Sequence, residues 1–173
     1  MRAAEFYRAV TMDRTDLLAR LLSLFERESI RYCIIGGLAV NAYVEPVVTL
    51  DLDVAISPEQ FDRTISLLGD EFELEDFPHS VNVSAPGSSL RVQIQKDSRY
   101  AEFVQRASLR QVLNHSLPVA SVQDVLQGKI WAASDEQRRA SKRQKDLADI
   151  ARLIEAYPEL RSRVPESLLG KLL

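Results

Sequence analysis

The sequence predicts an α/β (α+β) protein: a mixed β-sheet flanked by helices, with a helix-rich C-terminal part. Short apolar segments with strand-like alternation, separated by helical patterns, occupy the chain up to about residue 107. From residue 121 onward the apolar residues recur at helical spacing instead. The 173 residues are enough for one domain, with a sheet-containing core over about 15–107 and a helical part over about 121–173.

Each element predicted in the first half follows from a local pattern. Leucines and Phe25 recur at helical spacing in "TDLLARLLSLFERE", where Thr15 is the expected cap. In "SPEQ", Ser57 is expected to cap a helix whose first turn holds Pro58, and Gln60 completes a capping box. The predicted elements are a helix over 15–28, a strand over 32–36, a helix from the following glycines over "LAVNAY", a strand near 49–56, a helix from 57 to about 68 ended by Gly69, and strands near 80–84 and 89–95.

The second half is expected to be mainly helical. A short helix over 98–106 and extended segments over 109–120 precede "SVQD", in which Ser121 opens a further helix. The segment "SKRQKDLADIARLIEAY" predicts a longer helix that Pro158 breaks, followed by a short C-terminal helix.

Composition favours a cytoplasmic protein without a membrane segment. No apolar run approaches the ~20 residues that span a bilayer, and the single cysteine, Cys33, excludes a disulfide framework. The net charge of −3 gives no global attraction to nucleic acid. Five cations nevertheless crowd into "RRASKRQK", where they form either a solvated helix face or an anion-binding surface: Arg138, Arg139, Lys142, Arg143 and Lys145.

Two carboxylates are predicted to lie side by side on one strand. Because side chains alternate along a strand, Asp51 and Asp53 share a face with Thr49, while apolar residues take the other face. Two like charges this close repel each other and lose solvation, and a divalent cation removes both penalties. The simpler alternative is an exposed strand face with two solvated acids.

A glycine pair upstream favours the metal-binding interpretation. Gly36 and Gly37 stand between a predicted strand and a helix, where backbone N–H groups can approach a phosphate. Alone, such a pair is more often a tight turn. Followed by Asp51 and Asp53, it predicts a site for Mg²⁺ (or Mn²⁺) and a nucleoside triphosphate.

These segments resemble a known family. "IIGGLAV" followed by "TLDLD" resembles the nucleotidyltransferase superfamily, and "VASVQDVLQGKIWAASDEQRRASKRQKDLADIARL" resembles the AbiEii-type members, which include toxins of type IV toxin–antitoxin systems. The resemblance covers about 30–155. It implies transfer of a nucleoside monophosphate from an NTP to an acceptor hydroxyl, on an RNA 3′ end (tRNA included) or a protein. A cognate antitoxin is the further partner that it implies.

Two departures from the family pattern leave a second hypothesis open. The position expected to hold a third carboxylate is Gln93, whose amide brings no charge and cannot act as a base. Asp97, just beyond that strand, is a possible substitute. An arginine common before the Asp-x-Asp strand is replaced by Val47-Val48. The alternative is therefore a degenerate protein that binds nucleotide or a partner without catalysis.

The C-terminal helices supply the remaining candidates. Lys129 falls on a core-facing stripe, so it either extends its amine to solvent or meets an anion, and the resemblance implies a triphosphate. Lys142 and Lys145 either pair with Asp146 and Asp149 at i,i+4 or face phosphate, with Asp146 orienting Lys129 or the substrate. The predicted catalytic residues are Asp51, Asp53, Lys129 and Asp146; the predicted nucleotide-binding residues are Gly36, Gly37, Thr49, Lys129, Lys142 and Lys145.

Overall fold

A seven-stranded mixed sheet forms the centre of the protein, with helices packed around it. The computed structural model describes residues 16–172. Its strands are β1 (Tyr32–Ile35), β2 (Asp51–Ile56), β3 (Glu73–Asp76), β4 (Ser80–Ser84), β5 (Arg91–Gln95), β6 (Ser108–Val112) and β7 (His115–Val119). Its helices are α1 (Leu17–Arg27), α2 (Gly36–Asn41), α3 (Phe61–Glu71), α4 (Ala101–Arg106), α5 (Val122–Ser134), α6 (Ala140–Ala156) and α7 (Glu166–Leu169). The predicted fold class is confirmed.

The strand that carries the two acids is the central one. The strand order is β3-β4-β5-β2-β1-β7-β6, in which β2 pairs with β5, and β1 with β7, in parallel. The other pairs are antiparallel. In the β2–β5 register, Asp51 lies opposite Arg91 and Asp53 opposite Gln93. The acids are therefore fixed between strands on both sides.

The two faces of β2 differ as the alternation predicts. Leu52 and Val54 are buried on one face, at 1% and 0% exposure. Asp51 and Asp53 keep partial exposure on the other face. Because each strand residue turns the opposite way from its neighbours, the core side and the acidic side of this strand are separated by geometry alone.

Helix α1 anchors the chain against the sheet through its apolar stripe. Phe25 is buried and packs its ring 4.7 Å from that of Tyr32 at the start of β1. Arg27 donates to Glu71 at the end of α3, so the two helices are also linked at the surface. Cys33 is buried within β1, and burial raises the pKa of its thiol to about 12, as suits a small apolar core residue.

The predicted capping box at "SPEQ" is wrong. Pro58–Gln60 form a 3₁₀ turn, and the Ser57 side chain makes no capping hydrogen bond. The Gln60 side chain accepts from the Arg31 backbone N–H at 2.7 Å and donates to the Ser29 carbonyl at 3.0 Å. Gln60 therefore joins this turn to the loop before β1, which is a tertiary contact that local sequence does not encode.

Two further expectations in this region differ from the structure. Helix α3 continues through Gly69 to Glu71, so the glycine does not end it. A side chain at Gly69 would meet Leu74 at ordinary contact distance, 3.5 Å, so no close approach requires glycine there. The short strand β3 was not expected, because its sequence "ELED" lacks a β-former pattern. The predicted cap Thr15 lies outside the described residues.

The second half follows the prediction closely. The extended segment 109–120 is a hairpin of β6 and β7, turned by Leu113 and Asn114 at φ values of 52° and 66°. Ser121 caps α5 by accepting from the Asp124 N–H at 3.2 Å, as expected. Among the residues described, no helix is both long enough and apolar enough to cross a membrane.

Candidate functional site

The glycine turn holds the Asp53 carboxylate against the start of α2. Gly36 has a φ of +68°, a conformation that favours glycine, and a Cβ there would come within 2.9 Å of the Asp53 Cγ. Gly37 is less constrained, since a Cβ would lie 3.8 Å from the Thr49 Oγ1. The sequence therefore needs glycine at position 36 to let β2 and α2 approach each other.

Asp53 lies at the floor of a cavity, with part of its surface open and its carboxylate deep among protein atoms. This burial raises its pKa from 3.8 to about 6; the charges of Lys129 and Lys142 oppose the rise, and that of Asp51 adds to it. In the absence of a ligand, the ionised form is thus poorly compensated. A bound cation would remove this penalty.

Asp51 is flanked by two cations but keeps one oxygen without a hydrogen bond. Lys142 donates to its Oδ2 at 3.2 Å, and the Arg91 Nε lies 2.7 Å from its Oδ1. The contact between Arg91 and Asp51 is an ion pair by distance but not a hydrogen bond. Oδ1 is buried and has no hydrogen-bond partner among residues 16–172. Such an oxygen suits a cation ligand.

Lys129 is buried and charged, not extended to solvent. Its Nζ lies 2.8 Å from the Asp149 Oδ2 and 3.1 Å from the Asp146 Oδ1. Burial alone would lower the pKa of Lys129, but the two carboxylates outweigh burial and raise it. The amine therefore remains a cation although it is buried.

Each of these two carboxylates also meets an arginine. The Arg138 Nε donates to the Asp146 Oδ2 at 2.6 Å, and Arg152 donates to the Asp149 Oδ1 at 2.8 Å. Asp146 and Asp149 are thus fully engaged in ion pairs. Asp146 contacts Lys129, the residue that one of its two predicted roles would have it orient.

The i,i+4 pairs considered for α6 do not form. Lys142 turns to Asp51 instead of Asp146. Lys145 is exposed and lies beside the site, where it does not pair with Asp149. The reason is that Asp146 and Asp149 face Lys129 in the interior, and this leaves both α6 lysines free of their helix neighbours.

Two pockets meet at the two acids. The large pocket has a volume of about 210 Å³ and the small pocket one of about 60 Å³. The small pocket is bounded further by Gly37, Val47, Val48, Thr49, Lys145 and Asp149. The residues that line both pockets, called the shared wall below, are Asp51, Asp53, Lys129, Arg138, Lys142 and Asp146. Every predicted catalytic residue belongs to the shared wall.

Gln93 occupies the position expected for a third carboxylate, whereas Asp97 does not replace it. Gln93 lies opposite Asp53 in the β2–β5 register and lines the large pocket. Asp97 accepts from the Arg99 backbone N–H at 2.9 Å and from its Nε at 2.8 Å, and this hydrogen bonding lowers the pKa of Asp97. Asp97 lines neither the large nor the small pocket.

The sequence did not point to several residues that shape the site. Arg91 reaches Asp51, and its position two residues before Gln93 on the same strand face is a signal that could have revealed it. Tyr100 lines the large pocket, and burial, followed by the charge of Asp53, raises its pKa to about 12. Its hydroxyl therefore stays a hydrogen-bond donor.

The loop before β2 is fixed by Asn41 at the end of α2. The Asn41 side chain donates to the Val47 carbonyl at 2.7 Å and accepts from the Val47 N–H at 3.1 Å. Arg152 donates to Asn41 and to the Glu45 carbonyl, which ties the loop to α6. Val47 and Val48 remain exposed at the mouth of the small pocket.

The donor set suits a hard divalent cation. Asp51 and Asp53 offer carboxylate oxygens, and Gln93 offers a neutral carbonyl oxygen on the next strand. Mg²⁺ and Mn²⁺ prefer such oxygen ligands. No group of three His, Cys, Asp or Glu side chains within residues 16–172 is arranged to hold a metal by itself. A metal here would depend on the two acids together with a ligand's oxygens.

Comparison with known proteins identifies the fold. No protein-family model and no curated protein matches the chain. Among solved structures, the antibiotic-resistance factor ANT(2″)-Ia is 13% identical with a TM-score of 0.54, over 90% of this chain and 94% of that one. The lincosamide antibiotic adenylyltransferase LnuA, bound to lincomycin, is 15% identical with a TM-score of 0.54, over 79% and 95%. An antigenic nucleotidyltransferase-like protein from Paracoccidioides brasiliensis is 18% identical with a TM-score of 0.56, over 96% and 86%. The chain thus has the nucleotidyltransferase fold.

Proposed function

We propose that this protein transfers a nucleoside monophosphate from a nucleoside triphosphate to an acceptor hydroxyl, with Mg²⁺ or Mn²⁺ as the required metal. One observation carries the proposal. Asp51 and Asp53 project from the central strand and line both pockets. Cations from α5, α6 and the loop between these helices line the same two pockets. A structural salt-bridge cluster would not need two pockets meeting at its acids.

Asp51 and Asp53 are the proposed metal ligands. A divalent cation held there would neutralise phosphate oxygens and favour in-line displacement at the α-phosphorus. Burial of Asp53 supports this role, because its ionised carboxylate gains by meeting a cation. The Asp51 Oδ1, which Arg91 approaches to 2.7 Å, has no hydrogen bond to give up when it binds a metal. Gly36 contributes by letting its backbone lie against Asp53.

The small pocket is the proposed site of the triphosphate tail. Lys142 and Lys145 bring positive charge to it from α6, and Lys129 from α5. Gly37 and Thr49 form the opposite side, where backbone and hydroxyl groups can donate to phosphate oxygens. Neutralising the charge of the leaving pyrophosphate is the role we assign to these cations.

The large pocket then remains for the groups bonded to the α-phosphorus. Its neutral polar side chains, which include Ser80, Gln95 and Tyr100, can hydrogen-bond a hydroxylated ligand. The acceptor classes we propose are an RNA 3′ end, tRNA included, and a protein hydroxyl. LnuA and ANT(2″)-Ia add a small-molecule hydroxyl as a third class to test. An AbiEii-type toxin with a cognate antitoxin is the narrower form of this proposal.

The deciding experiment is a transfer assay with each labelled NTP and Mg²⁺, using total RNA, cell lysate, tobramycin or lincomycin as acceptors. Asp51→Asn and Asp53→Asn are each expected to abolish labelling while circular dichroism shows an intact fold. The matched control is Asp62→Asn on the exposed surface of α3, which should label like the unaltered protein. Equal labelling by both site variants and the control would refute the mechanism.

A second function, nucleotide binding without transfer, is favoured by one observation. Gln93 places an amide beside Asp53 where the resemblance implies a carboxylate. Calorimetry with Mg²⁺ and each NTP would then detect binding while the transfer assay detects no product. In that case Gln93→Asp is expected to create turnover, and this gain would separate a binder from an enzyme whose acceptor was missing from the assay.

A further inference from the structure

The carboxylates that line the two pockets are not equally able to bind a metal. Asp146 meets Lys129 and Arg138, and Asp149 meets Lys129 and Arg152, all within 3.1 Å. A carboxylate held by two cations in the interior would leave them unpaired if it turned to a metal, which is strongly unfavourable. Asp146 and Asp149 are therefore excluded as ligands.

Asp124, which also lines the large pocket, is held by Arg106 through both of its oxygens. Asp51 and Asp53 then remain as ligands. Arg91 and Lys142 flank Asp51, but their side chains are 59% and 31% exposed, so water can solvate them when Asp51 turns to a metal. Arg91 lies 2.7 Å from one oxygen of Asp51, and Lys142 lies 3.2 Å from the other. Arg91 is set there by backbone register, because it lies directly opposite Asp51 on β5. A guanidinium cannot lose its proton in a protein, so this positive charge is permanent.

The position that could hold a second ion carries no charge. Gln93 is opposite Asp53 on β5, and its amide offers at most one neutral oxygen. A second divalent ion would therefore find no further carboxylate to hold it: apart from Asp51 and Asp53, its ligands would be this amide oxygen and the oxygens of the triphosphate.

We propose that this site binds a single divalent cation, held by Asp51 and Asp53, and that Arg91 and Lys142 supply the positive charge a second ion would otherwise bring. This inference rests on the proposed nucleotide site and specifies its metal content. It assigns Arg91 and Gln93 the role of setting the number of ions. The prediction concerns a count, so it can be tested without any acceptor.

The test counts Mn²⁺ per chain in the full-length protein saturated with an α,β-methylene NTP analogue, by equilibrium dialysis and by electron paramagnetic resonance. The unaltered protein is expected to hold one ion, including the ion that arrives with the nucleotide, and to show no spin coupling between two ions. Gln93→Asp is expected to hold two ions and to show that coupling. The matched control is Gln95→Asp, which adds the same charge on the same strand face but lies two residues beyond the position opposite Asp53; it should hold one ion.

The outcomes separate this inference from the proposed function. Two ions in the unaltered protein would overturn the inference and leave the proposed function standing. No ion bound with the analogue would overturn both. One ion in a folded Gln93→Asp variant, or two ions in Gln95→Asp, would show that residue 93 does not set the number of bound ions. If Gln93→Asp fails to fold, the count in the unaltered protein still decides the main claim.

Discussion

Asp53, a proposed metal ligand, lowers the stability of the metal-free fold. Its carboxylate lies deep in the protein, and this burial raises its pKa from 3.8 to about 6. At pH 7 the group is nevertheless mostly ionised, so the folded protein carries a buried charge that the unfolded chain leaves in water. Ionisation therefore costs the metal-free fold on the order of 1–3 kcal/mol.

This cost predicts that Asp53→Asn stabilises the metal-free protein at pH 7. The folded pKa is higher than the unfolded one, so between about pH 4 and pH 6 the folded state binds more protons and stability falls as pH rises through that window. The difference between variant and unaltered protein should thus be largest above about pH 6 and shrink toward pH 4. Urea unfolding in EDTA at several pH values measures it.

Asp51→Asn provides the contrast on the same strand. It removes the ion pairs to Arg91 and Lys142, so it should leave the stability unchanged or lower it at pH 7. An equal gain in stability from both substitutions would mean that general charge repulsion, not burial at Asp53, sets the effect.

Gly36 is the second residue whose identity follows from geometry. Gly36→Ala places a Cβ against the Asp53 carboxylate and forces an alanine into a φ of +68°. Such strain costs roughly 1–3 kcal/mol, and the displaced carboxylate should also weaken Mn²⁺ binding. Gly37→Ala meets only ordinary contacts with Thr49, so its free energy of unfolding should change by less than about 1 kcal/mol. Equal losses from both alanines, measured in urea, would contradict this account of the turn.

At the scale of elements, α5 and α6 are joined by one buried lysine. Lys129 on α5 lies between Asp146 and Asp149, which are one helical turn apart on α6. The two helices therefore meet through charge as well as through leucine and isoleucine packing. Each acid also has an arginine, so the cluster contains two acids and three cations.

Lys129→Met is expected to destabilise the protein by about 3 kcal/mol, because it leaves two buried carboxylates with one cation each. Thermal and urea unfolding measure the loss. Lys145→Met is the matched control, since Lys145 is exposed on α6, and its effect should be within about 0.5 kcal/mol. Adding Asp149→Asn to Lys129→Met should recover part of the loss, and failure to do so would point to packing of the lysine stem instead of its charge.

Elements with a strong local signal were predictable, and those fixed by distant contacts were not. Helix α5 was predicted at its correct start because Ser121 caps it within four residues of sequence. The 3₁₀ turn at Pro58–Gln60 was missed because Gln60 bonds to the loop before β1, about 30 residues away. Strand β3 owes its strand form to pairing with β4, since its own residues favour no strand.

At the scale of the whole molecule, the site too was predictable only where local sequence determines it. Strand alternation alone predicts that Asp51 and Asp53 share a face. The glycine pair is recognisable because it stands at the break between a strand and a helix. The contact of Lys142 with Asp51 joins residues 91 positions apart, and only the assembled fold determines it. The position of Gln93 opposite Asp53 likewise depends on parallel pairing of β2 with β5 across the intervening hairpin and helix. Family resemblance supplied Gln93. Strand alternation places Arg91 on the same face as Gln93, but only the pairing of β2 with β5 brings it to Asp51.

The order of residues along the chain has a consequence for synthesis of the protein. Asp51 and Asp53 leave the ribosome long before Lys129, Arg138 and Lys142. Of the cations within residues 16–172 that contact the two acids or lower the pKa of Asp53, Arg91 alone comes from the middle of the chain. A nascent polypeptide can form much of the sheet while its acids still lack these lysine and arginine counter-charges. The strand that carries the two acids is thus made early, and the helix that carries Lys142 is made only after all seven strands.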